Sequence, residues 1–187
     1  MRRSSAGTHP ELLRRMNDLL EQPTRRRIFD VISDHPGASA RDVQRRAELA
    51  WGETAYHLDQ LTRAGILRRE RGGGRDYYFP PQMTWDDRKL LLALRSRTER
   101  RILVALVESP GLTLAEVRER AGTSLSTASF HLRHLLDLAA AESFHSGNQR
   151  RYRARDPQRL TNLLGQFRDS FEDRVVERFV ETWSSLL

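Results

Sequence analysis

Cysteine is absent from the 187-residue sequence, which excludes disulfides, thiolate metal sites and cysteine nucleophiles at once. Whatever fold forms must hold by packing and hydrogen bonding alone. Lysine is almost absent: Lys89 is the single one, so the other 31 of the 32 basic residues are arginine. The codon usage of a GC-rich genome accounts for such a bias without functional pressure, yet it gives every basic patch a planar fork suited to phosphate and to guanine edges. Long apolar runs are missing too. The longest, ILVALV at 102–107, falls far short of the roughly 20 residues of a membrane span, as does LLLAL at 90–94, and the arginines near the start are not followed by the apolar stretch of a signal peptide. A soluble, cytoplasmic protein with no membrane partner is expected. No Walker loop, zinc-protease motif or nucleophile–base motif occurs, so no catalytic residue, cofactor or metal ion is expected.

Positive charge, in contrast, is plentiful. A formal net charge of +7 and a pI near 10.8 favour a polyanionic partner, with nucleic acid first among candidates. A hydrophobic fraction of 38% supports either one ordinary core or two small ones. An internal repeat favours two. Shifting the sequence by 74 residues aligns 24–80 with 98–154 without a gap and gives fourteen identities in 57 positions. Among them are Arg26/Arg100, Pro36/Pro110, Gly37/Gly111, Arg46/Arg120, His57/His131, Leu58/Leu132, Leu61/Leu135 and Tyr78/Tyr152. One structural unit therefore occurs twice.

Each copy predicts the same elements. A lead-in helix covers 10–22, with Leu12, Leu13, Met16, Leu19 and Leu20 at helical spacing, and its counterpart starts at Thr84 with Asp87 three residues on. Thr24 and Thr98 are placed to cap a second helix, which Pro36-Gly37 and Pro110-Gly111 stop. Ser39 with Asp42, and Thr113 with Glu116, have the spacing of a capping box and open a short helix ending near Ala47 and Ala121. After a turn of about four residues a third helix follows, over 53–63 and 125–138, which makes each copy a helix-turn-helix. Strand, glycine turn and strand come next, at 66–71, 72–74 and 75–79, then at 141–146, 147–148 and 149–154. Each hairpin reads as a wing.

The segments QPTRRRI at 22–28, AYHLDQL at 55–61 with AGIL at 64–67, and SFHLRHL at 129–135 resemble winged helix-turn-helix repressors of the ArsR type. The doubled arrangement more closely resembles archaeal regulators with two such units in tandem. The resemblance covers residues 10 to about 156 and implies a DNA-binding regulator; the cysteine ligands of metal-sensing ArsR members are missing. The expected fold is mainly α with small β-hairpin wings. It comprises a disordered basic tail at 1–9, winged units at 10–81 and 82–156, and a long C-terminal helix at 157–187.

A helix-turn-helix lays its third helix in the major groove. In the second copy Ala128, Leu132 and Leu135 form the core stripe, which leaves Ser126, Phe130 and Arg133 outermost, flanked by Thr127 and His134. The first copy presents Gly52, Tyr56 and Asp59 there, flanked by Glu53 and Gln60, and its two carboxylates have the wrong sign for phosphate. Its expected DNA contacts reduce to Tyr56 and Gln60. The wings add Arg68, Arg69, Arg71 and Arg75 in copy one and Arg150, Arg151 and Arg153 in copy two. Alternating strand residues face opposite ways, so about half of these should reach phosphate. Arg26, Arg27, Arg100 and Arg101 lie near helix N-termini, where they either meet an external phosphate or pack their stems on the core. His131 and His134 have the one-turn spacing of a metal pair but no further ligands nearby in sequence.

From 157 onward Leu160, Leu164, Phe167, Phe171, Val175, Phe179 and Trp183 recur at steps of three or four. Such a stripe either pairs with a second copy of the chain or folds back on its own units; dimerisation is the expectation, with Gly165 as a site for a bend. The sequence thus points to a nucleoid-associated homodimer that regulates transcription on double-stranded DNA, with the transcription machinery as a possible partner. A protein-docking adaptor and a sequence-neutral, chromatin-like DNA binder are the alternatives.

Overall fold

The computed structural model describes residues 9–171 and 174–184; the tail expected to be disordered lies outside them apart from His9. The chain divides into two compact units between Met83 and Thr84. It is mainly helical with small antiparallel hairpins.

The first unit runs α1 (His9–Leu20), α2 (Pro23–Asp34), β1 (Ala38–Ser39), α3 (Ala40–Ala47), α4 (Trp51–Arg63), β2 (Arg68–Gly72) and β3 (Arg75–Phe79). The three strands form one sheet in the order β1-β3-β2. The predicted capping box opens α3: the Ser39 hydroxyl accepts from the Asp42 amide, and the Asp42 carboxylate accepts from the Ser39 amide. The cap of α2 differs from expectation. Gln22 accepts from the Arg25 amide, because Pro23 occupies the first helical position and moves the start upstream of Thr24. Ile28, Ile32, Val43, Leu58, Leu61, Ile66 and Leu67 are all buried and form the core.

The second unit runs α5 (Trp85–Arg95), α6 (Arg97–Glu108), α7 (Leu114–Ala121), α8 (Leu125–Asp137), β4 (Ala141–Ser146), β5 (Gln149–Ala154), α9 (Pro157–Gln166), a 3-10 turn (Arg168–Ser170) and α10 (Arg174–Ser184). Ser96, rather than Thr98, caps α6. The repeat extends to single hydrogen bonds. Arg26 donates to the Leu20 carbonyl and Arg100 to that of Leu94; Gly37 and Gly111 donate their amides to Tyr78 and Tyr152. Ala38 pairs with Tyr78 in β1, and an isolated bridge between Leu112 and Tyr152 takes that place in the second unit. Arg26 and Arg100 thus staple the lead-in helix to its successor. Arg100 is buried and closed to any external phosphate, which corrects one of the two readings of that residue.

The continuous C-terminal helix expected from the apolar stripe is broken. Phe167 ends α9 with non-helical angles, the 3-10 turn follows, and α10 begins only at Arg174. Leu160, Leu164, Phe167, Phe171 and Phe179 are buried inside the second unit, where α9 packs on α5 and α10 on α6. Arg95 donates to the Ser170 carbonyl, and the guanidinium groups of Arg95 and Arg100 lie over the Phe171 ring at 5.3 and 5.4 Å. Arg159 of α9 bonds Asp87 of α5 at 2.7 Å. Burial alone would raise the Asp87 carboxyl, but hydrogen bonds from Arg159 and Thr84 hold it below the usual carboxylate range. The stripe expected to form a dimer seam is therefore consumed by the unit's own core; the side chains of Val175 and Trp183 lie outside the described set. Steps of three and four cannot distinguish a partner helix from a neighbouring one. Covered in this way, α6 buries Ile102 through Val107 without interruption, whereas α2 buries only Ile28 and Ile32.

Candidate nucleic-acid interface

In the second unit Thr113 and Glu116 form the capping box that starts α7, and Gly122 ends it in the left-handed region at φ 62°. The left-handed angle is what favours glycine there; a Cβ would also come within 2.8 Å of the Arg101 guanidinium, a side-chain end that can move aside. Ser124 then caps α8: its hydroxyl accepts from the Thr127 amide and lies 3.0 and 2.8 Å from the hydroxyls of Ser126 and Thr127. Ala128, Leu132 and Leu135 are buried, and the other side of α8 presents Ser126, Phe130, Arg133 and His134 to solvent, with Thr127 half-buried. Phe130 is 69% exposed, an uncovered aromatic on a helix that otherwise packs well. Leu125, 51% exposed, extends this face and was not apparent from the sequence.

The corresponding helix α4 buries Thr54, His57, Leu58 and Leu61 and exposes Trp51, Gly52, Glu53 and Tyr56, with Asp59 and Gln60 half-buried. It starts at Trp51, two residues earlier than predicted, and the Arg41 guanidinium stacks 4.0 Å above the Trp51 ring. Glu53 accepts from Thr24, and Asp59 pairs with Arg63 one turn on. This face is acidic and aromatic where that of α8 is hydroxylic and basic.

The wings divide in the opposite sense. In the first, Gly72 pairs with Arg75 across Gly73-Gly74, both at positive φ, as a two-residue hairpin turn requires. Arg68, Arg69, Arg71 and Arg75 are all exposed; Arg69 lies 3.8 Å from Asp76, and the other three have no hydrogen-bond or ion-pair partner among the described residues. In the second wing every predicted arginine has a partner. Arg150 donates to Ser143, half-buried Arg151 to the Gly111 carbonyl, and Arg153 to Glu142 at 2.6 Å.

The histidines also differ between the units. His57 is buried with an unpaired Nδ1, and burial, followed by the nearby Arg25 charge, lowers its pKa. His131 and His134 both place Nδ1 on one oxygen of Glu99, a buried residue in the first turn of α6. Glu99 did not stand out in the sequence. Its signal was a mismatch: at the repeat offset it replaces Arg25, reversing the charge opposite a histidine that both copies keep. No group of three or more His, Asp or Glu among the described residues is arranged to hold a metal ion, and no described helix is long and apolar enough to cross a membrane.

Comparison with known proteins agrees with this architecture. Residues 22–91 match the profile of an N-terminal helix-turn-helix domain, and residues 95–138 match that of a winged helix-turn-helix DNA-binding domain. An uncharacterised HTH-type transcriptional regulator of Methanocaldococcus jannaschii is 28% identical over 143 residues, which cover 74% of this chain. The matched region spans 36% of that relative's length. The chain thus carries two helix-turn-helix domains in tandem, the second matching a DNA-binding type.

Proposed function

We propose that this protein is a transcriptional regulator that reads double-stranded DNA chiefly with α8 and holds the backbone with its wings. The observation that carries this reading is the outer face of α8: hydroxyls at Ser126 and Thr127, the fork of Arg133 and the open ring of Phe130, with no carboxylate before Asp137. Hydroxyls and arginine pair with base edges, and an apolar ring suits a thymine methyl. Arg68, Arg71 and Arg75 are the wing residues best placed for phosphate, since no acid neutralises them. The nearness to ArsR-type repressors rests on the HL-containing third helices and the wings. Recovering genomic fragments bound by the full chain is the test. A regulator prefers particular sites by roughly 4–10 kcal/mol over random DNA, and binding without such preference would favour a chromatin-like role.

A second reading concerns the first unit alone. Trp51 and Tyr56 are 43% and 56% exposed on α4 beside Glu53 and Asp59, a surface suited to protein contact and opposed to phosphate. Under this reading Tyr56→Ala leaves DNA affinity unchanged and weakens binding to a component of the transcription machinery. A loss of DNA affinity would reject it.

A further inference from the structure

The cluster of Glu99, His131 and His134 places a proton-binding device under the candidate DNA surface. Both imidazoles meet Oε1 of Glu99 through Nδ1, at 2.9 Å for His131 and 2.8 Å for His134. An ionised carboxylate only accepts hydrogen bonds, so each ring must hold a proton on Nδ1. Nε2 is left as the outer edge of both rings. On a neutral ring that edge is a lone pair, and on an imidazolium it is an N–H donor. With both rings neutral the cluster carries one negative charge, the wrong sign for a phosphate; one added proton cancels it and a second reverses it. Side-chain exposures of 22% for His131 and 52% for His134 leave an outward path.

We propose that Glu99 is a positioning residue for DNA binding: it holds His131 and His134 with Nδ1–H inward, so that Nε2 of each meets the DNA backbone and takes up a proton from solvent as it does. Only the N–H bond forms, and the imidazolium is held between the Glu99 carboxylate and the phosphate. The inference rests on the reading of α8 as the DNA-contacting helix. Glu99 is the one acidic side chain within ion-pair distance of either ring among the described residues. From α6, Arg100 bonds the Leu94 carbonyl and Arg101 lies against Gly122. From α7, Glu116 caps its own helix, Arg120 bonds Ser109, and Arg118 and Glu119 are exposed. From β4, Glu142 pairs with Arg153 and His145 is exposed, while Arg133 and Asp137 of α8 itself are both exposed. The first unit is the natural contrast. It has Arg25 in place of Glu99 and Gln60 in place of His134, and its one histidine there is buried and biased towards the neutral form.

The test measures affinity of the full chain for labelled mixed-sequence duplex DNA, at constant ionic strength, across the pH range around the ordinary imidazole value of about 6.5. Mixed sequence suffices because backbone contacts do not depend on bases. Proton uptake on binding means affinity falls as pH rises, by up to about tenfold per pH unit for each proton taken up. Glu99→Gln and His134→Gln, the latter installing the first unit's own residue, should each flatten that slope. His134 is exposed, so its variant carries the test even if the substitution at buried Glu99 disturbs folding. Nitrogen NMR of the free protein gives a readout without DNA: His131 and His134 should carry their proton on Nδ1 when neutral. Binding that ignores pH, a slope unchanged in both variants, or an Nε2–H tautomer overturns this inference and leaves the DNA-binding reading standing. Failure to bind DNA at any pH, with the expected tautomer present, removes that reading and the inference with it.

Discussion

In a common register the two units keep the same internal bonds and part company on their outer faces. Arg26 and Arg100 bond the same carbonyl six residues back, and Arg46 reaches His35 where Arg120 reaches Ser109. Both pairs of arginines are identical in the repeat, and both serve the scaffold. At the third helix the opposite holds: Asp59 and Gln60 stand where the second unit has Arg133 and His134, and Arg25 where it has Glu99. Duplication preserved what the trihelical core needs and released what faces outward. The two units are thereby specialised, one with an open basic wing and an acidic third helix, the other with an internally bonded wing and a basic third helix.

The largest break in this comparison lies at the C-terminus, which only the second unit has recruited into its core. Phe179→Ala should destabilise that unit by about 3–5 kcal/mol, the range for deleting a buried aromatic. Hydrogen exchange would show α6 losing protection while α2 keeps its own, and sedimentation would show no change of oligomeric state. If the variant instead dissociated a dimer and left α6 protected, the ring would belong to a seam between chains. Next comes the third helix. Arg133→Ala should cost about 1–3 kcal/mol at one base pair of a preferred site and relax specificity there, with Gln60→Ala costing less. Equal losses would erase the asymmetry.

The wings invert the order. Replacing Arg68, Arg71 and Arg75 together by alanine should reduce the salt dependence of DNA binding by roughly one unit of slope for each phosphate left without its arginine. The same treatment of Arg150, Arg151 and Arg153 should do less, since those side chains already have partners within the unit. A larger effect from the second wing would show that DNA displaces those partners. The smallest effect is a reciprocal one. Gly65 and Ala139 occupy the same left-handed position at φ 76° and 56°, so only the second unit bears the strain of a side chain there. Gly65→Ala should cost about 1–2 kcal/mol and Ala139→Gly should regain a similar amount, both read by thermal unfolding. Two changes of the same sign would mean that packing outweighs backbone strain at this turn.

Local chemistry was legible in the sequence and distant pairing was not. The capping boxes at Ser39 and Thr113, the buried stripe of α8 and the second wing, residue for residue, follow from spacing over a few positions. Moving the α2 cap to Gln22 required weighing Pro23 against Thr24, a competition settled within one turn. Glu99 is different. Its partners lie 32 and 35 residues away, and no period links them; only the mismatch with Arg25 marked the place. The stripe from Leu160 to Phe179 was read correctly as apolar and wrongly as one helix, because its spacing continues through the break after Gln166.

The complete burial of α6 also sets an order of events during synthesis. The first unit's elements are contiguous and end at Phe79, so it can close while the rest of the chain is still being made. The second cannot. Until α9 and α10 leave the ribosome, the apolar run from Ile102 to Val107 lacks part of its cover, and the nascent chain displays the kind of surface that chaperones bind and that aggregation exploits. A chain halted before Val176 would therefore hold one finished unit and one whose α6 is only partly covered.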